Sequence, residues 1–266
     1  MDKISIDNHS KSHILYLSEK VKQNKGVYQM AKKAVSSKAN VVEYNKESLS
    51  LINDLCSITE SIIIDKEGSD LLIIRSNNAK SVAYRLRLPA NSFNVEGDTI
   101  GFYKFPEFYQ LVSCFNAPNI VQSSDNKLTI EKDKSKINYL LSDVESLTKG
   151  PKKINFVDPE AKFEITSSDL KELKKMIGLL TAKFIKISCS KKNVNLTLYN
   201  STHDNSFDKV YEGESSQDFE FPIASDIFTV IPEGDYIIEI MQAGMVRFSL
   251  KRENVSLEIF TAEVDE

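Results

Sequence analysis

The sequence predicts an α+β protein in which one unit of about a hundred residues occurs twice, and three observations favour this prediction. First, short runs of alternating apolar and polar residues recur along residues 41–266, separated by turn residues such as Gly-Ser at 68–69 and Asn-Asn at 77–78. Second, amphipathic stretches with helical spacing lie between these runs. Third, both halves read strand, helix, three strands, helix, three strands. Such a unit places its two helices on one face of an antiparallel sheet.

The composition excludes several classes of protein. Of 266 residues, 41% are hydrophobic and 27% are charged, which is too apolar for a disordered chain. No apolar run approaches the ~18 residues of a membrane span, and the first residues lack the apolar segment of a secretory signal, so we expect a soluble protein without membrane contact. Three cysteines lie far apart in apolar runs, which predicts buried, reduced thiols at Cys56, Cys114 and Cys189.

Charge is distributed unevenly along the chain. Residues 1–40 contain eight lysines and three acids, for a net charge of +5, whereas the remaining residues carry −9. Ile14, Leu17 and Val21 have the spacing of a short helix around 12–25, but the surrounding Lys, Ser, Gln and Asn residues favour a flexible basic N-terminal extension. The acidic remainder argues against nucleic acid wrapping over a whole face, although it permits one local basic surface.

Residues 41–145 are predicted to form the first domain. A strand at 41–45 precedes a helix at 46–58 whose apolar residues share one side, and a second helix at 106–114 starts with a proline, which a first helical turn tolerates. The other expected strands are 61–66, 70–76, 81–88, 119–124, 127–132 and 136–142. Five aromatic residues flank and enter the second helix amid acids, which indicates core packing for Phe102, Tyr103, Phe105, Phe108 and Tyr109.

Residues 146–161 interrupt the pattern and are predicted to connect two domains, because they place two prolines, one glycine and three lysines around a few apolar residues. Residues 162–266 then repeat the order as the second domain. A strand at 162–167 leads into a helix at 168–180 that Ser168 or Asp169 can cap. The expected elements that follow are strands at 184–190, 193–200 and 208–214, a helix at 223–231, and strands at 235–242, 245–251 and 254–262.

The sequence contains no motif typical of an enzyme. No GxxxxGK[ST], GxGxxG, HExxH or GxSxG pattern occurs, and the three histidines and scattered cysteines lack zinc-binding spacing. Neighbouring acids fall at strand ends or turns, where solvated carboxylates are typical. We therefore expect no catalytic residue, no metal and no cofactor.

The helix at 168–180 has one strongly basic face. At 100° per residue, Lys171, Lys174 and Lys175 lie opposite the apolar stripe, and Lys183 follows just beyond the helix. A solvated lysine face is the commoner meaning of such spacing, and a surface that faces nucleic-acid phosphates is the functional alternative.

Three segments resemble one known family, the DNA polymerase sliding clamps of large tailed bacteriophages. The opening of the last clamp domain is similar to SSDLKELKKMIGLLTAKFIKISCSKKNVNLTLYN at 167–200, and its close is similar to FPIASDIFTVIPEGDYIIEIMQAGMVRFSLKRENVSLEIFTAE at 221–263. The close of the first clamp domain resembles FPEFYQLVSCFNAPNIVQSSDNKLTIEKDKSKINYLLSD at 105–143. The resemblance covers about 41–266, whereas the basic extension has no recognisable counterpart.

The resemblance implies a homotrimeric ring in which each chain contributes two similar domains, with sheets outside and helices lining the hole. It implies that the ring encircles duplex DNA without sequence specificity, tethers a DNA polymerase and is loaded by an ATP-dependent clamp loader, with no cofactor. Such clamps can also activate late transcription, and their location would be the cytoplasm of an infected bacterium. By position, the lysines implied to face DNA are Lys171, Lys174, Lys175, Lys183, Lys46 and Lys104.

The resemblance also implies a pocket near the connector for a short hydrophobic partner peptide. By position, its candidate residues are Pro232, Ile154, Phe156 and Val157, although ordinary packing of the connector onto the sheet explains them equally well. Two other functions stay open. One is a non-enzymatic virion or scaffold interaction module built from duplicated α+β domains, and the other is a single-strand-binding protein, which needs exposed aromatic residues interleaved with basic ones.

Overall fold

The structure, a computed structural model, describes residues 40–151 and 154–265. The expected basic extension and its short helix fall on residues 1–39 and lie outside the described residues. The first half contains β1 (Asn40–Tyr44), α1 (Lys46–Leu55), β2 (Ile62–Glu67), β3 (Asp70–Ser76), β4 (Val82–Pro89), β5 (Phe93–Asn94), β6 (Thr99–Phe102), α2 (Phe105–Ser113), β7 (Asn119–Ser124), β8 (Lys127–Lys132) and β9 (Ser135–Leu140). A short 3-10 turn at Ala90–Ser92 separates β4 from β5.

The second half repeats this order after the connector. It contains β10 (Ala161–Ile165), α3 (Ser167–Leu180), β11 (Phe184–Ser190), β12 (Asn193–Asn200), β13 (His203–Ser215), β14 (Phe219–Ala224), α4 (Asp226–Val230), β15 (Tyr236–Met241), β16 (Met245–Leu250) and β17 (Ser256–Ala262). The duplicated α+β plan is therefore confirmed, and most strands lie within one or two residues of their predicted bounds.

Two antiparallel sheets connect these strands. Twelve strands follow the order β14-β11-β12-β13-β10-β15-β16-β17-β4-β3-β2-β6, and five follow the order β5-β1-β7-β8-β9. The twelve-stranded sheet crosses from one half to the other where β17 pairs with β4, from Thr261 opposite Val82 to Ser256 opposite Arg87. We call this pairing the internal seam.

In each half, the predicted order lacks the strand that directly precedes the second helix. These strands are β6 before α2 and β14 before α4. In the second half, Ile223 was expected to begin a helix but lies buried in β14, and α4 has only five residues. Strand β14 pairs with β11, and in the first half β6 pairs with β2 in the same way. The neighbouring strand offers backbone partners that local sequence does not reveal.

The cap of α3 also differs from the prediction. Thr166 rather than Ser168 precedes the helix, and its side chain accepts a hydrogen bond from the Asp169 N–H at 3.2 Å. The Asp169 carboxylate accepts in return from the Thr166 N–H at 2.9 Å, which completes a capping box. Asp169 therefore acts as the third helical residue and not as the cap.

The core of the first half is aromatic, as predicted, but Tyr103 and Cys114, which were expected to be buried, are exposed. Phe102, Phe105 and Phe108 are completely buried and pack ring against ring, whereas Tyr103 is 66% exposed because it lies in the turn between β6 and α2. Cys56 and Cys189 are buried and unpaired, but Cys114 is exposed because it follows the last turn of α2.

Candidate nucleic-acid interface and partner cavity

The four helices form one continuous layer over the sheets. Helix α1 contacts α2, and α3 contacts α4. Between these pairs lies a cleft of about 590 Å³ that residues of α1, α3 and α4 line together. The Ser57 hydroxyl, just after α1, lies 3.2 Å from the Val230 carbonyl oxygen at the end of α4. The helix layer therefore crosses the boundary between the two halves.

The six lysines implied to face DNA lie in or beside this layer, and five of them are exposed. Two exposed lysines form ion pairs, Lys104 with Glu107 at 3.2 Å and Lys171 with Glu233 at 3.1 Å. Three exposed lysines have no carboxylate partner among residues 40–151 and 154–265, namely Lys46, Lys175 and Lys183. These three offer unopposed positive charge on the helix layer.

Lys174 differs from the other lysines because it is half-buried in the cleft. Its ammonium donates a hydrogen bond to the Ile231 carbonyl at 2.9 Å and so links α3 to the end of α4. Burial lowers the pKa of Lys174, while the nearby Glu233 and Asp54 carboxylates oppose that shift. The helical wheel places Lys174 opposite the core of α3, but the neighbouring helix covers it.

Acidic side chains share the helix layer with these lysines. Burial raises the pKa of Asp54, and the charge of Lys174 opposes this effect. Glu47 of α1 pairs with Arg252 at 2.7 Å across the boundary between the halves. The layer therefore carries mixed charge with a few free lysines, which suits weak and sequence-independent attraction of phosphates better than tight binding.

Among the strand edges of the described residues that lack a neighbouring strand for most of their length, two are candidates for contact with another chain. One is β9, which ends the five-stranded sheet, and the other is the part of β13 before Gly213, because β10 pairs with β13 only from Gly213 to Ser215. Each edge carries a large exposed apolar side chain, Leu140 on β9 and Val210 on β13. Exposed apolar edges are typical sites of pairing with another chain.

A second cavity, of about 460 Å³, lies against the connector, and we call it the connector cavity. Both halves line it: Ala83 of β4 on one side, and Met245 and Ala262 of β16 and β17 on the other. Ile154 of the connector contributes to its wall. An apolar cavity of this size can accept a few hydrophobic side chains of a peptide.

The four residues proposed for the partner pocket do not come together. Ile154 lines the connector cavity, but Pro232 is buried beside the cleft of the helix layer. The centre of the Phe156 ring lies 6.0 Å from that of Phe260 and 4.4 Å from the Arg247 guanidinium. Phe156 therefore packs the connector against the sheet. Val157 is 64% exposed.

Some residues of the cavity and its surroundings were missed by the sequence analysis. Phe260 is buried next to the buried Ile259, and such consecutive buried residues show that both faces of the strand are covered. The run of apolar residues at 259–260 was the available signal. Arg75 is fully buried and contacts the connector, and nothing in its local sequence indicates either property.

Neither a metal centre nor a membrane span emerges from the described ranges. Among these residues, no three His, Cys, Asp or Glu side chains are grouped to hold a metal ion. Their helices are too short or too polar to cross a bilayer.

The fold matches solved structures of sliding clamps. No protein-family model and no curated protein matches the sequence. The proliferating cellular nuclear antigen (PCNA) of Entamoeba histolytica superposes with a TM-score of 0.67 at 15% identity, over 85% of this chain and 100% of that chain. PCNA of Thermococcus kodakaraensis has the same TM-score at 14% identity, over 84% and 99% of the two chains. A. fulgidus PCNA, solved with the C-terminal region of FEN-1, matches with a TM-score of 0.67 at 14% identity, over 85% and 98%. The chain has the sliding-clamp fold.

Proposed function

We propose that this protein is a non-catalytic sliding clamp, a ring of three copies that encircles duplex DNA and tethers a DNA polymerase after an ATP-dependent loader has placed it there. A role in late transcription would use the same ring. The observation that carries the proposal is the equivalence between the internal seam and the two open edges. In the duplicated plan, β4 corresponds to β13 and β17 corresponds to β9, so the seam inside one chain is a template for a seam between chains.

The template also gives the register of the seam between copies. In the internal seam, Ile259 lies opposite Tyr84. Strands β9 and β17 end with Leu140 and Ala262, each opposite the first residue of the strand before it, so counting back from these ends makes Ile137 the counterpart of Ile259. Counting from the β2–β3 and β11–β12 turns makes Leu198 the counterpart of Arg75. Their strand partners, Phe207 and Tyr84, therefore correspond. We therefore expect Ile137 of one copy to lie opposite Phe207 of the next copy.

The proposed ring needs little affinity for DNA, because a closed ring stays on DNA by topology. The mixed charge of the helix layer fits this requirement, and three unpaired lysines there would attract phosphates without fixing the ring at one place. The connector cavity is our candidate for the tether to polymerase, since FEN-1 bound to A. fulgidus PCNA is a precedent for partner binding on this fold.

The decisive experiment separates topological linkage from ordinary DNA binding. The protein is loaded onto nicked circular duplex DNA with the clamp loader of its own genome and ATP, and the complex is isolated by gel filtration. A clamp remains with the circle and is lost after a restriction enzyme linearises it, and it extends the products of its polymerase on the circle.

Equal retention on circular and linear DNA would contradict a clamp and favour a conventional DNA-binding protein. Assembly without any retention on DNA, in the presence of loader and ATP, would favour the scaffold module. The mass in solution gives an independent check, because three copies of the 30.1 kDa chain predict a species of about 90 kDa.

A further inference from the structure

Arg75 of β3 is an unusual residue for a protein core. Within the described ranges it is the one charged side chain that is fully buried, at 2% exposure, and no described carboxylate pairs with it. Its Nη2 donates to the Ser61 hydroxyl at 2.6 Å, its Nη1 donates to the Thr148 carbonyl, and its Nε has no partner. A buried cation without a counter-ion is costly, so a specific local task explains Arg75 better than stability does.

The second domain shows that this position does not require an arginine. Arg75 lies opposite Tyr84, and the corresponding residue opposite Phe207 is Leu198. Leu198 is completely buried in the hydrophobic core. The difference between the domains is the contact of Arg75 with Thr148, which belongs to the connector.

The connector approaches β3 closely at this point. Two residues after Thr148, a Cβ on Gly150 would collide with the Ile74 carbonyl oxygen. The approach is possible because β2 and β3 pair at three positions, whereas β11 and β12 pair at seven, so part of the β3 edge is left for the connector. Lys149, Gly150 and Pro151 then form part of the wall of the connector cavity.

We propose that Arg75 is a positioning residue for the connector. Its guanidinium holds the Thr148 carbonyl and thereby fixes the wall of the connector cavity that follows in the chain. The planar fork of an arginine suits this task because it reaches two oxygens on different segments at once. The use of the cavity by a partner rests on the proposed function, but the anchoring itself does not.

A spin label next to the anchor tests the proposal without any partner. Lys149→Cys, in a Cys114→Ser background, gives one reactive thiol because Cys56 and Cys189 are buried. In Arg75→Met, we expect the rotational correlation time of a nitroxide at 149 to shorten at least about threefold, because the anchored segment is released. Arg87→Met is the matched control, since the Arg87 guanidinium lies on the same sheet but pairs with two carboxylates, the exposed Glu67 and the half-buried Asp70.

Two further variants keep the test decisive. Gly150→Ala displaces the connector without touching the guanidinium and supplies the reference spectrum of a released connector. Arg75→Lys keeps the positive charge but loses the planar fork, so the label at 149 should have a mobility between those of the unaltered protein and Arg75→Met. This variant takes the place of Arg75→Met if the latter fails to fold. An unchanged spectrum in a folded Arg75 variant, beside a mobile Gly150→Ala label, would overturn the proposal.

Peptide binding then separates this inference from the proposed function. The probe is a fluorescent peptide of the C-terminal region of FEN-1, and release of the connector should weaken its binding about tenfold through lost preorganisation. A mobile label in the Arg75 variants, with no peptide binding even to the unaltered protein, would support the anchor and contradict the role of the connector cavity for this class of peptide.

Discussion

The two domains follow the same order of elements, but they build the strand that ends each three-stranded meander differently. In the second domain, β13 is one strand of 13 residues that pairs first with β12 and then with β10. In the first domain, the corresponding segment breaks into β4, the turn at Ala90–Ser92 and the two-residue β5. Pro89 ends β4, and its missing N–H explains why the strand stops there. As a result, the twelve-stranded sheet includes all eight strands of the second domain but only four of the nine described strands of the first.

This comparison indicates which features the duplicated plan holds constant. Both domains close in the same way, because the Ser142 N–H donates to Gly101 in one and the Val264 N–H donates to Pro222 in the other. The lengths of strands and helices vary freely. The edges that pair across the internal seam must keep complementary shape, and by the proposed function the same holds for the open edges.

The largest expected effect comes from a charge at an open edge. Ile137→Asp places a carboxylate where the template predicts contact with Phe207 of the next copy, and a buried unpaired charge there should weaken association at least about 100-fold. Light scattering on a size-exclusion column should then find the mass of a single chain instead of three.

Val41→Asp is the matched control for this edge. Val41 is an apolar strand residue that is 64% exposed, whereas Ile137 is half-buried, and β1 lies between β5 and β7 instead of ending its sheet. Its mass in solution should equal that of the unaltered protein. Loss of assembly in both variants, or in neither, would contradict the predicted seam.

The sequence predicted the strands of this fold well where alternation was regular and short turns separated the runs. Strands β11 and β12 alternate because each has one face in the core. The bounds of β3, β7 and β8 were also predicted, although three consecutive residues of each are buried, because turn residues mark their ends. It failed for β14, where Pro222 interrupts the run and the partner strand supplies the missing information. The exposure of Lys171 and Lys175 could be predicted from a helical wheel, but the covering of Lys174 by Ile231 could not, because the contact joins residues 57 positions apart.

The second prediction compares the two cores. The Phe108 ring packs against four other rings, those of Phe93, Phe102, Phe105 and Tyr139. Phe108→Ala should therefore lower the free energy of unfolding by about 5 kcal/mol, the upper limit for such a substitution. In the second domain, Phe228 packs against one ring among the described residues, that of Phe248. Phe228→Ala should therefore cost less.

Urea denaturation of both variants should be measured in the Ile137→Asp background, so that unfolding is not coupled to association. If both variants lose the same free energy of unfolding, the rings around Phe108 add no stability beyond the burial of the Phe108 ring itself.

The third prediction concerns the lysines of the helix layer. Replacing Lys46, Lys175 and Lys183 by alanine should weaken binding to linear duplex DNA and reduce the slope of log affinity against log salt by about 0.9 per lysine that contacts a phosphate. Lys174 is left intact because its loss would disturb the packing of α3 and α4.

The matched control is the Lys191→Ala, Lys192→Ala double variant, whose exposed lysines lie in the turn between β11 and β12 and outside the helix layer. Fluorescence anisotropy at several salt concentrations measures both proteins. A salt slope that changes in the control, but not in the helix variant, would place the DNA on the other face of the sheet.

The smallest expected effect concerns the caps of the first helix of each domain. The Asn45 side chain accepts from the Ser48 N–H at 3.0 Å, whereas Thr166 shares a capping box with Asp169. Removing either cap, as Asn45→Ala or Thr166→Ala, should cost about 1 kcal/mol at pH 7. The two caps should differ in acid, because an asparagine does not titrate there.

Burial acts to raise the pKa of Asp169, but hydrogen bonds from Lys209 and Thr166 outweigh it, and the pKa lies below its usual value. The stability that the ionised Asp169 provides is therefore complete above its unfolded pKa of about 3.9 and is lost as the pH falls through the lower folded value. In Asp169→Asn, the free energy of unfolding should fall less steeply as the pH is lowered from about 5 to 2, as measured by urea denaturation. In Asn45→Ala, it should be lower by the same amount at every pH. If the free energy of unfolding of Asp169→Asn falls with pH as steeply as that of the unaltered protein, the charge of Asp169 does not contribute to the cap. The capping box of the second domain would then act as an uncharged cap, as Asn45 does in the first domain.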